Sequence, residues 1–170
     1  MDIIGNLEVL TMKIGVISDT HLNISNDRLD EIIEDRFHDV DVILHAGDIV
    51  DLAVLDAFGG KEFYAVSGNM DHAPVREIFP EKRVVEIEGR RIGMIHGWGS
   101  PYGLEEKILR EFEDVDCIVY GHTHRAMNEV KDGVLLFNPG SPTDRRFAHH
   151  NSVGILDVAE EIVGTIIYLD

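Results

Sequence analysis

Seven side chains of metal-ligand type recur in short glycine-flanked motifs: Asp19 and His21 in Asp-Thr-His, Asp48 after Gly47, Asn69 after Gly68, His96 before Gly97, and His122 and His124 in Gly-His-Thr-His. Carboxylate, imidazole and amide oxygen, with no thiolate among them, suit hard-to-borderline divalent cations. Taken singly, Asp19 reads equally well as a helix cap or turn residue, and His96 as a satisfied strand-end histidine. The ordered set is what points to metal chemistry. Gly47, Gly68, Gly97 and Gly121 allow tight turns and close backbone approach where several loops crowd one small site.

The elements that must position these residues are legible as alternating apolar runs and helical patterns. Residues 13–18 read as a buried strand, with β-branched residues running into the polar Ser-Asp-Thr-His. Residues 26–40 place Leu29, Ile32, Ile33, Phe37 and Val40 on one helical face, with Ser25 or Asn26 as cap. Strands follow at 42–45 and 63–66, separated by a short helix through Ala57 that Gly59-Gly60 stops. The second half is richer in strands. Residues 83–87 and 91–96 form a hairpin turning at Glu88-Gly89-Arg90, and 104–112 form a helix with Leu104, Ile108 and Phe112 in line. Residues 117–120 lead into the Gly-His-Thr-His motif, 126–131 and 134–137 flank an Asp132-Gly133 turn, and 153–158 pairs with 162–168. Each ligand motif therefore follows a strand, and loops at the carboxyl ends of strands in open α/β sheets are where sites collect.

Bulk composition narrows the function class. A 170-residue chain with 44% hydrophobic and 28% charged residues is one domain with a real core. No apolar run approaches the roughly 20 residues of a membrane span. The single cysteine, Cys117, excludes an internal disulfide framework and reads as a buried, inert thiol. A net charge of −17 argues against gripping duplex nucleic acid, which needs a basic footprint. Residues 1–11 lack the features of a secretion signal. They read as an upstream extension from a mis-chosen start ahead of the domain at 12–170, with an ordered extra strand as the alternative. These features place the protein in the cytoplasm, away from membranes, and leave room for a homodimer.

The ordered blocks Asp19-x-His21, Gly47-Asp48, Gly68-Asn69, His96 and Gly121-His122-Thr123-His124, with Asn138-Pro-Gly-Ser141 after them, resemble the signature of calcineurin-like metallophosphoesterases, in particular their small bacterial and archaeal phosphodiesterase branch. The resemblance runs from Met12 to the C-terminus. It implies an α/β (α+β) fold: a four-layer α/β/β/α sandwich of two packed mixed sheets flanked by helices. It also implies two divalent ions, manganese first, with Fe, Zn, Ni or Co fitting the same donors. Asp19, His21 and His124 would hold one ion, and Asn69, His96 and His122 the other, with Asp48 bridging both. Asp48, Asn69 and His96 would then act in catalysis through the ions. The implied reaction is hydrolysis of small, nucleotide-derived among other, phosphodiesters by in-line attack of a metal-bridging hydroxide between ions about 3.5–4 Å apart.

One position departs from that pattern. Many members of the superfamily carry histidine directly after Gly-Asn, where it serves the leaving group, but here Met70 stands there. Asp71 and His72 are the neighbours that could compensate, His72 as candidate general acid. Without a strong acid, diesters with easily departing leaving groups are the expected substrates. His45 reads either as orienting a ligand or as core packing. Arg145 and Arg146 read as a solvated pair or as contacts to a substrate phosphate, and Trp98 and Tyr102 as cleft lining or loop packing. His38, His149 and His150 are assigned to the surface. Two other functions stay open: a phosphomonoesterase, and a non-catalytic protein-interaction scaffold of the same fold, as the eukaryotic retromer subunit resembling this family is.

Overall fold

A computed structural model describes residues 11–169, so residues 1–10 of the expected N-terminal extension lie outside the described residues. The first half alternates strand and helix: β1 (Met12–Ile17), α1 (Asp27–Arg36), β2 (Val42–His45), a 3-10 helix (Leu52–Phe58), β3 (Glu62–Ala65) and α2 (Ala73–Ile78). The second half follows with β4 (Lys82–Ile87), β5 (Arg90–Ile95), α3 (Leu104–Leu109), β6 (Cys117–Val119), β7 (Met127–Lys131), β8 (Val134–Asn138), β9 (Ser152–Val158) and β10 (Ile162–Tyr168). They build two five-stranded mixed sheets, ordered β10-β9-β1-β2-β3 and β4-β5-β6-β8-β7.

The period-2 alternation of each strand explains the layering. Ile14 and Val16 of β1, Val42 and Leu44 of β2, Ile92 and Met94 of β5, Cys117 and Val119 of β6, and Leu135 and Phe137 of β8 form one core between the sheets. The intervening residues Ile17 and Ile43 face outward, under Leu29, Ile32, Ile33 and Phe37 of the α1 segment. On the opposite side Ile95, Ile118, Tyr120 and Leu136 pack with Leu104 and Ile108 of α3. The result is the expected α/β/β/α sandwich.

Local chemistry sets the boundaries. Asn26 caps α1 by accepting the Leu29 amide at 3.0 Å. The helix ends at Arg36, short of the periodicity that runs to Val40, because Phe37 leaves helical geometry at φ −114° and ψ 16°. Phe37 and Val40 still reach the core, from the turn into β2. The segment before Gly59 is a 3-10 helix capped by the Asp51 side chain on the Ala53 amide. The expected hairpin turns are present at Glu88-Gly89 and Asp132-Gly133, each with both residues at positive φ, although Arg90, expected in the first turn, already opens β5.

Parallel pairing of β1 with β2 and of β2 with β3 brings the carboxyl ends of these three strands to one edge. Parallel pairing of β5 with β6 does the same in the second sheet. All five ligand motifs follow these strands.

Candidate metal centre

The loops after β1 and β2 continue side by side beyond the sheet. The amide of Asp19 donates to the Gly47 carbonyl (3.0 Å) and that of His21 to the Asp48 carbonyl (3.1 Å). The Gly121 amide donates to the His96 carbonyl (3.1 Å), tying the two ligand loops of the second sheet together. Asp19, His21, Asp48, His122 and His124 all have φ between 48° and 70°, a region non-glycine residues seldom occupy. Such clustered strain marks sites whose geometry the surrounding fold over-determines. Glycines make the crowding possible: a Cβ on Gly68 would lie 2.2 Å from Asp48 Oδ1, and one on Gly121 2.0 Å from Ser18 Oγ.

Two groups of ligand atoms result, Asp19 with His21 and His124, and Asp19 with Asp48 and His96, each within 4.8 Å. Asp19 Oδ1 lies 3.2 Å from His124 Nε2, and Asp48 Oδ2 lies 3.3 Å from His96 Nε2 and 3.5 Å from His21 Nε2. Asn69 and His122 form a further pair at the same rim, Oδ1 to Nδ1 at 3.2 Å.

Hydrogen bonding on the far side of each ring fixes which nitrogen faces the centre. Carbonyls only accept, so His96 Nδ1 donates to Ala46 O (2.7 Å) and His122 Nε2 donates to Gly99 O (2.8 Å). His96 Nε2 is buried and makes no hydrogen bond, and in the neutral ring its lone pair would face Asp48 and Asp19 oxygens within 3.8 Å. His122 Nδ1 faces Asn69 Oδ1, acceptor to acceptor. His124 Nδ1 is held by Asp144 Oδ2 at 2.7 Å, which leaves its Nε2 facing His21 Nε2 at 3.1 Å. Pairs of lone-pair atoms at such distances repel unless a proton or a metal cation lies between them, and a metal ion takes the place of the proton. Two donors each about 2.1 Å from one ion stand about 3.0–3.4 Å apart, which is the spacing seen here. The residues therefore fit a pair of divalent ions.

Electrostatics follow the same logic. Burial would raise the Asp19 carboxyl, but the His124 and His21 imidazoles beside it hold it well below the usual carboxylate range. Burial likewise works against ionising Asp48, and His96 and the Met70 amide at 2.8 Å reverse that effect. Burial opposes charging His96 and His124, yet Asp48 and Asp19 beside His96, and Asp19 and Asp144 beside His124, raise both to about 9.

Several supporting residues were not marked by sequence spacing. Asp144 receives His124 and the amides of Arg146, Phe147 and Ala148 at 2.8–2.9 Å, with burial opposing and these donors lowering its carboxyl to about 2. Ser18 Oγ donates to Asp19 Oδ2 at 2.6 Å. Within the Asn-Pro-Gly-Ser block, Asn138 Nδ2 donates to Gly121 O (3.0 Å) and Ser141 Oγ to Asp19 O (2.8 Å), so this tight turn clamps two ligand loops. His45 serves both of its readings. It is fully buried, accepts the Gly47 amide on Nδ1, and faces Thr20 Oγ1 with Nε2, while Thr20 reaches Asp48 O. Burial drives its imidazole down to about 3, so it stays neutral.

Asp71 and His72 do not face the cleft, whereas Met70 lines it. His72 is the N-cap residue of α2, lies 3.6 Å from Asp51, and lines neither depression beside the centre, so its geometry lends no support to a role as general acid. Asp71 is buried and spent on the Val50 and Gly68 amides at 2.6 and 2.7 Å. His38, His149 and His150 are exposed, as expected. The centre opens into a cavity of about 900 Å³ lined by His21, Asp48, Asn69, His122 and His124, with Arg125, Arg145 and Arg146 at its margin. Trp98 borders a second depression of about 630 Å³ beyond Asn69 and His96, whereas Tyr102 is exposed.

Comparison with known proteins agrees with this construction. Residues 12–161 match the calcineurin-like phosphoesterase superfamily domain. A probable metallophosphoesterase of Methanocaldococcus jannaschii is 41% identical over 137 residues, covering 78% of this chain and 69% of that one. A phosphodiesterase of the same organism is 34% identical over 143 residues, covering 76% and 83%. The structure of an archaeal phosphodiesterase superimposes with a TM-score of 0.75 at 28% identity, covering 93% of this chain and all of that one.

Proposed function

Since the chain belongs to the calcineurin-like phosphoesterase superfamily, we propose that it is a dinuclear metal-dependent phosphodiesterase acting on small phosphodiesters. The observation that carries this reading is His96 Nε2: a buried ring nitrogen with no hydrogen-bond partner, aimed between two aspartates. Most buried side-chain polar atoms in native proteins are hydrogen-bonded, and metal ligation is what this nitrogen is aimed for in our reading.

In this reading Asp19, His21 and His124 hold one ion, Asn69, His96 and His122 the other, and Asp48 stands between them. Two such ions supply Lewis acidity, activation of water near neutral pH and charge compensation at the phosphoryl oxygens. The chain's own residues do the rest. Ala46 and Gly99 carbonyls and the Asp144 carboxylate keep the three imidazoles aimed inward. Ser18 and the His122 amide (3.1 Å) hold the Asp19 carboxylate in one orientation. Buried Asp19 and His96 form the floor, below the cavity that would admit the substrate. Met70 offers its amide to Asp48 and no proton to a leaving group, which favours esters whose leaving group departs unaided. Manganese is the proposed ion, on the strength of its oxygen and nitrogen donors.

The test is hydrolysis of bis(p-nitrophenyl) phosphate and of p-nitrophenyl phosphate by the purified protein, with each divalent metal and with chelator. The expected result is chelator-sensitive hydrolysis favouring the diester, and faster release of aryl than of alkyl leaving groups. Faster hydrolysis of the monoester would replace the diester reading with a phosphomonoesterase. No hydrolysis by protein shown to hold two ions would favour an interaction scaffold. Asp48→Ala should lose both ions together, and retained activity would remove Asp48 from its bridging position.

A further inference from the structure

Arg125, Arg145 and Arg146 all line the cavity above the metal centre, and among the described residues none of them has an ion-pair partner. Basic groups are scarce in a chain with 32 acidic residues against 15 basic ones, and three of the fifteen gather at this cavity. Elsewhere Lys13, Lys82, Arg90, Arg91 and Lys131 each find a carboxylate. The acidic groups at the cavity do not serve the arginines. Asp48 belongs to the centre, and Asp144 is occupied by His124 and three backbone amides.

The segment that carries two of these arginines is fixed to the centre. Asp144 accepts the amides of Arg146, Phe147 and Ala148 while it holds His124, and the Phe147 ring packs edge-on to His124 at 5.9 Å. Arg125 directly follows His124 in the chain. The backbone that carries the positive groups is thus held beside the candidate ligands. Between them lies apolar surface: Phe147 is 66% exposed and Met70 55% exposed, and both line the same cavity.

Resting on the phosphodiesterase reading, the geometry points to a substrate class: a nucleotide that carries a second phosphate besides the one at the metal centre. The second phosphate is taken by Arg125, Arg145 and Arg146, whose planar guanidinium groups suit phosphate oxygens. The base lies against Phe147 and Met70. Solvent-exposed apolar surface beside unpaired cations fits such a mixed ligand better than inorganic phosphate, which has no face to cover it.

The experiment is calorimetric titration of the manganese-loaded protein with thymidine 3′,5′-bisphosphate and with thymidine 5′-monophosphate. The bisphosphate should bind at least about tenfold more tightly, the effect of one good charge-assisted contact. The combined variant Arg125→Gln/Arg145→Gln/Arg146→Gln should bring that ratio towards one, whereas Arg36→Gln on the far end of α1 should preserve it. Phe147→Ala should weaken both nucleotides while leaving binding of deoxyribose bisphosphate unchanged. Equal affinities in the wild-type protein, or an undiminished ratio in the combined variant, would overturn the proposal. Because the readout is binding, an inactive protein still decides it. Loss of bis(p-nitrophenyl) phosphate hydrolysis would instead sink the enzymatic reading and leave this ratio intact.

Discussion

Asp144 Oδ2 accepts a hydrogen bond from His124 Nδ1 at 2.7 Å, and this pairing leaves the other ring nitrogen, Nε2, to face Asp19 and His21 in the candidate metal centre. A carboxylate behind a ligating histidine fixes the tautomer and makes the ligating nitrogen more basic. The same carboxylate gathers the loop that bears Arg145 and Arg146, so one side chain joins ligand geometry to the cavity wall.

Replacing it separates those duties from folding. Asp144→Ala is expected to weaken metal binding about 10–100-fold, the usual effect of removing such a partner, without unfolding the domain. Asp144→Asn, which keeps an acceptor oxygen, should recover part of that loss. Metal titration with circular dichroism as a folding check measures both. Unchanged affinity in the alanine variant would show that the pairing is incidental.

Metal uptake should release protons. In the metal-free protein His96 and His124 are raised to about 9 by their aspartate neighbours, so both are protonated at neutral pH. An ion must displace those protons to reach the ring nitrogens. Affinity should therefore climb as pH rises towards about 9 and level off above it. Calorimetry in buffers of different ionisation enthalpy counts the protons directly. A count of zero at neutral pH would contradict the assignment of these two rings as ligands.

Gly121→Ala tests the crowding at the ligand loops. The added methyl would lie 2.0 Å from Ser18 Oγ and 2.6 Å from Asp19 Oδ2, both buried. Overpacking of this kind destabilises by about 1–3 kcal/mol. At roughly 2–4 °C per kcal/mol for a domain of this size, thermal unfolding reads it easily. Gly59→Ala, whose new methyl would meet nothing nearer than 3.5 Å at a φ of −53°, should leave the melting temperature almost unchanged. Equal melting temperatures for the two variants would refute the close contact.

Cys117 lies in the core between the sheets, and burial pushes its thiol far above the normal range. It should resist alkylation by iodoacetamide at mildly alkaline pH and react at once after denaturation. Rapid modification of the native protein, followed by mass spectrometry, would place it at the surface instead.

The strands, and the gathering of the candidate ligands at their ends, were legible from sequence for a common reason. β1, β2 and β6 are short β-branched runs with Asp19, Gly47 and Gly121 two residues past their ends, and burial on both faces leaves such runs almost continuously apolar. Less was visible where a role depends on distant partners. Asp144 acts on a histidine 20 residues away, and no local pattern marks it. Arg125 gains meaning only from the arginines that the fold brings near it. Helix α2 has six residues and a single buried one, Val75, too little periodicity to detect, although Pro74 in its first turn was a start signal. Helix α1 ended earlier than its pattern because Phe37 and Val40 reach the core from a turn as well as from a helix. Strand order, with β8 beside β6 and β9 beside β1, is non-local and has no linear trace.

The positive φ values at Asp19, His21, Asp48, His122 and His124 have a consequence for engineering. A free peptide seldom visits that backbone region, and here it occurs at both carboxylate loops and at both histidines of one tetrapeptide. The ligand motifs are therefore not transplantable: copied onto a flexible loop, the same letters would aim their side chains elsewhere. Whoever grafts this centre into another scaffold must carry over the hydrogen-bonded frame of strand ends, because the frame stores the coordination geometry and the side chains only express it.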